Sequence, residues 1–75
     1  MKLPVVTGQE AIRALTRAGF AIDHVRGSHY YLRPQGGGPP LITIPVHAGE
    51  TLPLGTPRSI MRQAAITPEV FAELL

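Results

Sequence analysis

Arg26-Gly27-Ser28-His29-Tyr30-Tyr31-Leu32-Arg33 is the stretch whose reading settles how this chain folds. Gly27-Ser28 reads as a tight turn, because glycine reaches the positive φ angles that such turns require. Tyr30-Tyr31-Leu32 is a β-prone run, so residues 29–33 read as a strand. Residues 20–25 before the turn read as its partner, with Phe20 and Ile22 alternating against Ala21 and Asp23.

Working outward, Thr7-Gly8-Gln9-Glu10 fits a capping box, in which Thr7 and Glu10 each satisfy the other's backbone N–H. Ala11, Ile12, Leu15 and Ala18 follow at helical spacing, with Arg13 and Arg17 on the opposite side. The spacing predicts a first helix over 8–18, stopped by Gly19 in the left-handed conformation. Pro34 to Pro40 reads as a loop by its glycine and proline content. Residues 41–46 read as a third strand, β-branched at Ile42, Thr43, Ile44 and Val46. Pro45 has no N–H to give a ladder, which puts that strand at an edge.

Residues 47–55 show no periodicity and read as a loop. Thr56-Pro57 looks like a helix start, with Thr56 as N-cap and Pro57 at the first helical position. Ile60, Met61, Ala64 and Ala65 supply the apolar stripe, and Arg58 and Arg62 lie four apart on the polar side. Thr67-Pro68 repeats the start signal, with Val70, Phe71, Leu74 and Leu75 as the expected buried face of a short last helix. The order α-β-β-β-α-α implies an α+β fold, with helices on one face of a three-stranded antiparallel sheet.

At 75 residues, the chain reads as one domain spanning 1–75, with a modest core. It contains no cysteine, which excludes a disulfide framework and a thiolate metal site. No apolar run approaches the roughly 18 residues that a membrane span needs, and no secretory signal is evident, so the expected location is the cytoplasm. Seven cations against five carboxylates leave a net charge of +2. Six of the cations are arginines, whose planar fork of donors suits phosphate.

His29 is the foremost functional candidate. Its unperturbed pKa, about 6.5, lets an imidazole both take and give protons near neutrality. At the start of a strand, beside Arg26 and the backbone N–H groups of Gly27-Ser28, it suits chemistry on an anionic substrate. Alternation adds a register. If Tyr31 faces Pro45, then Tyr30 and Leu32 share an apolar face with Ile44 and Val46. His29, Tyr31, Arg33, Thr43 and His47 then occupy the other face, with His29 and His47 as cross-strand neighbours. His24 reads as an ordinary strand residue. Zinc is disfavoured, because His24 lies before the turn and no carboxylate or cysteine has ligand-like spacing.

Several short motifs occur together: Leu15 with Ala18-Gly19-Phe20, Gly27-Ser28-His29, Ile44-Pro45-Val46-His47, Gly55-Thr56-Pro57-Arg58-Ser59-Ile60 and Arg62-Gln63-Ala64. In order and spacing they resemble the HicA toxin family, small RNA-cleaving toxins of bacterial and archaeal toxin–antitoxin pairs. The resemblance implies a fold like the double-stranded RNA-binding domain. It also implies metal-independent endonucleolytic cleavage of mRNA without a cofactor, and inhibition by a HicB-type antitoxin. The family's catalytic histidine falls on His29. The expected RNA-binding residues are Arg26, Gly27, Ser28, Tyr31, Arg33, His47, Arg58 and Arg62. The loop Gln35-Gly36-Gly37-Gly38 and the stretch after His47 lack the basic residues that the family often carries there.

A non-catalytic RNA-binding module of the same fold is the competing reading, and it would tolerate the loss of His29. A repressor subunit would need a helix-turn-helix, which the pattern does not contain.

Overall fold

The computed structural model describes residues 5–75. Its elements run α1 (Gly8–Arg17), β1 (Phe20–Arg26), β2 (His29–Pro34), β3 (Ile42–Pro45), α2 (Gly55–Ala64) and α3 (Pro68–Leu74). The sheet is antiparallel in the order β1-β2-β3. Together these make the α+β arrangement that the sequence implies. β2 is central and β3 is an edge, where the missing N–H of Pro45 costs least.

The capping box forms as the sequence implies. Glu10 N–H donates to the Thr7 hydroxyl at 3.2 Å, and Thr7 N–H donates to Glu10 Oε1 at 2.8 Å. Ala18 caps the other end of α1, and Gly19 follows at φ +100. α1 buries Ala11, Ala14 and Leu15 against Leu32, Ile42 and Ile44 of the sheet. Ile60 and Met61 of α2 close the same core. α3 lies on α1 and buries Phe71 completely. Truncating such an aromatic typically costs 3–5 kcal/mol. Leu52, on the segment without periodicity, also enters the core, and its N–H donates to the Val6 carbonyl at 2.7 Å.

The register of β2 with β3 differs from the alternation-based expectation by two residues. His29 faces Pro45, Tyr30 faces Ile44, Tyr31 faces Thr43 and Leu32 faces Ile42. His47 therefore lies beyond the end of β3 and not opposite His29. A shift of two preserves which face each side chain takes, so hydrophobic pattern alone cannot distinguish the two pairings. In the observed pairing α1 packs closely on the end of β3. A Cβ on Gly8 would collide with the Pro45 carbonyl and come within 2.9 Å of Val46 Cγ2.

Three helix details also differ. α2 begins one residue before Thr56, and its N-cap is Leu54 in the helical region without a side-chain cap. Thr56 is not the cap because it already lies inside the helix, where its N–H donates to the Pro53 carbonyl at 2.9 Å. Ala65 is exposed and not part of the stripe: it is left-handed at φ 58 and ends the helix. In α3 only Phe71 is buried and Leu74 half-buried, while Val70 and Leu75 are exposed. A seven-residue helix packed chiefly on α1 covers only a narrow stripe.

Candidate active site on the open face of the sheet

The helices cover one face of the sheet and leave the other open. Residues reach that open face by the period-two alternation of strands, with one interruption. β1 pairs with β2 as Phe20–Pro34, Ala21–Arg33 and Ile22–Leu32, then skips Asp23 and resumes as His24–Tyr31, Val25–Tyr30 and Arg26–His29. Asp23 is a β-bulge. An extra residue inverts the alternation after it. Phe20 and Ile22 therefore share the helix-side face with Leu32, whereas His24 and Arg26 share the open face with Tyr31 and His29.

The open face then reads as rows across the strands. Arg26, His29 and Pro45 form the row nearest the hairpin turn, and His24, Tyr31 and Thr43 form the next. Arg33 continues along β2. Arg26 and His29 are exposed and directly opposed, a position that puts Cβ atoms about 5 Å apart. Gly27-Ser28 closes the hairpin beside them. Gly27 has φ +56 while Ser28 has no positive φ, the pattern of a II′ turn, whose backbone matches strand twist. The Ser28 carbonyl accepts from Val46 N–H at 2.7 Å, which ties the turn to the end of β3.

The structure thus gathers Arg26, Gly27, Ser28, His29, Tyr31 and Arg33 in one region. It does not gather Arg58 and Arg62 with them. Those two are exposed on α2, in the layer behind the sheet. His47 is exposed and lines a hollow with Pro45, Glu50, Thr51 and Thr56, two residues beyond the partner of His29.

His24 is the residue that sequence reasoning passed over. Its ring stacks on Tyr31 with centroids 4.3 Å apart and planes 7° from parallel. Its Nδ1 lies 2.7 Å from Asp23 Oδ2, so that nitrogen donates to the carboxylate. The other carboxylate oxygen lies 3.7 Å from Arg33 Nε. Alternation counted back from the Gly27-Ser28 turn puts His24 beside Tyr31, whereas alternation counted from Phe20 and Ile22 puts it on the helix side; the bulge at Asp23 reconciles the two. Among the described residues, no group of three or more His, Cys, Asp or Glu is arranged to hold a metal ion.

A family model for the HicA toxin of bacterial toxin–antitoxin systems matches residues 8–66. The chain belongs to the HicA toxin family. The match runs from the start of α1 through the hairpin, β3 and α2 to the residue after the Ala65 cap. It therefore includes the whole open face, and it leaves α3 outside. No curated protein matches the chain. As a HicA-family member the chain is a toxin of a toxin–antitoxin pair. No helix among its described residues is long and apolar enough to cross a membrane.

Proposed function

We propose that this HicA-family toxin is a metal-independent endoribonuclease of mRNA, with His29 as its general acid or base. The observation that carries the reading is the pairing of exposed His29 with Arg26 on the open face of the sheet. RNA brings its own nucleophile. The 2′-hydroxyl attacks the adjacent phosphorus, and the bond from phosphorus to the 5′-oxygen breaks. The products are a 2′,3′-cyclic phosphate and a 5′-hydroxyl. One proton leaves the 2′-oxygen and one arrives at the 5′-oxygen. An imidazole in the site can serve either transfer, and such catalysis typically contributes 10²–10⁴-fold. Arg26 would hold the phosphate beside it and offset the charge that builds on its oxygens.

A HicB-type antitoxin would silence the toxin most directly by covering the open face, with acidic groups meeting Arg26 and Arg33. Such an inhibitory interface buries on the order of 1,200–2,000 Å² in total. Action on mRNA would place the protein in the cytoplasm.

The test is cleavage of a synthetic RNA by the purified chain in excess EDTA, with both product ends identified. Cyclic phosphate and 5′-hydroxyl ends are expected. Cleavage that needs added Mg²⁺ and leaves 5′-phosphate ends would refute the mechanism. Tight RNA binding without cleavage would favour the non-catalytic module.

A further inference from the structure

The His24–Tyr31 stack is outside the chemistry above, and four features of it point to one use. First, it is built. His24 pairs with Tyr31 across the hairpin and so shares its open face, and the bulged Asp23 beside it fixes the imidazole through Nδ1 at 2.7 Å. Second, it is accessible, with the His24 side chain 44 % exposed. Third, it is one-sided. His24 covers one face of the Tyr31 ring, and the cross-strand neighbour on the other side is Thr43. Thr43 is exposed and too short to cover a phenol ring. Fourth, it is placed. Tyr31 and His29 are alternate residues on one face of β2, so their Cα atoms are about 6.7 Å apart. A single nucleotide spans that interval from its base to its sugar and phosphate.

We infer that His24, held flat against Tyr31 by Asp23, backs a slot over Thr43 that takes one RNA base and so fixes which phosphate reaches His29. The inference rests on the ribonuclease reading and names how that site positions its substrate. His24 is a positioning residue. Without it Tyr31 can tip toward β1, away from Thr43, and the slot loses its wall. A flat aromatic wall accepts any base, because every base has a π-face. The slot therefore sets spacing along the strand more than base identity. Arg26 and Arg33 on the same face supply the charge complementarity that a nucleic acid requires and a neutral aromatic ligand does not.

Two variants test the slot in the full chain. His24→Ala removes the backing ring, and Thr43→Tyr fills the slot with a competing ring. Both positions are exposed, and a thermal melt of each establishes folding. The first readout is binding of an RNA carrying 2-aminopurine, with a 2′-deoxy sugar at the cleavage position so that nothing is cut. Stacking on Tyr31 should quench the probe. Either variant should abolish the quenching and weaken binding by about 5- to 150-fold, the range expected for one stacked base. His24→Phe, which restores a flat ring, should recover both.

The second readout is the distribution of cuts along a long RNA. It should broaden in His24→Ala and return to the wild-type pattern in His24→Phe. Unchanged quenching and an unchanged cut pattern in folded His24→Ala would overturn the slot while leaving the ribonuclease intact. If the wild-type chain cuts no RNA, the ribonuclease reading fails, and the quenching arm still decides whether the stack holds a base.

Discussion

Arg26 and His29 face each other across the first rung of the β1–β2 hairpin, joined by Gly27-Ser28 and both exposed on the open face of the sheet. The two-residue turn makes them direct partners, and partners in an antiparallel ladder share a face. Were β1 regular, Ile22 would face Arg33 and lie with Phe20 on the open face; the bulge at Asp23 returns both to the helix side.

Arg26→Ala should weaken RNA binding with little effect on folding, since exposed substitutions usually change stability by less than about 0.5 kcal/mol. If Arg26 neutralises one phosphate, the slope of log affinity against log salt should fall by about one contact, close to 0.7 for single-stranded RNA. A titration across salt concentrations checks this. An unchanged slope would remove Arg26 from the phosphate contact.

His47→Ala should slow cleavage less than the loss of a general acid or base does, staying below the range of about 10²–10⁴-fold. His47 lies two residues beyond Pro45, the partner of His29, at the rim of a hollow shared with Glu50 and Thr56. From there it can hold substrate but is not His29's cross-strand neighbour. Single-turnover rates for the two alanine variants compare them directly. Equal losses would make the histidines a catalytic pair despite the register.

Much of this arrangement is legible in the residues. Thr7 and Glu10 announce the start of α1, Gly27-Ser28 the hairpin, Pro45 the edge strand, and Thr67-Pro68 the start of α3. What escapes sequence reasoning has two physical causes. Period-two alternation fixes faces but not a register shift of two, so the true partner of His29 is not determined by the pattern. Alternation counted from Phe20 and Ile22 conflicts with alternation counted from the Gly27-Ser28 turn, and neither alone places the bulge at Asp23 that brings His24 onto Tyr31 while keeping Phe20 in the core. The positions of Arg58 and Arg62 behind the sheet follow from tertiary packing of α2, which spacing within one helix does not encode.

Gly8→Ala should destabilise the fold and disturb the site together. The added methyl meets the Pro45 carbonyl and Val46, and such overpacking typically costs 1–3 kcal/mol. For a domain of this size, each 1 kcal/mol lowers Tm by about 4–8 °C. Displacing Pro45 also moves the strand end opposite His29, so cleavage measured well below the melting range should fall. A variant as stable and as active as the natural chain would show that the close approach is dispensable.

Ala65→Gly should raise stability. Ala65 sits at φ 58, where its N–H donates to the Arg62 carbonyl at 3.2 Å and Ile66 N–H donates to the Met61 carbonyl at 3.0 Å. This is a Schellman cap, a position at which glycine is the usual residue. A left-handed L-residue costs roughly 1–2 kcal/mol, and the greater freedom of glycine in the unfolded chain returns part of that. The expected net gain is up to about 1 kcal/mol, read from chemical or thermal unfolding. A lower Tm would show that the alanine methyl makes a stabilising contact.

The most direct measurement is the single-turnover cleavage rate of His29→Ala against the natural chain, on one RNA, in excess EDTA, with both proteins shown to be folded and to bind that RNA. If His29 transfers a proton in the reaction, the rate should fall by about 10²–10⁴-fold while RNA affinity changes far less. A His29→Ala chain that is folded, binds, and cleaves at the natural rate would contradict the assignment of His29 as the catalytic residue.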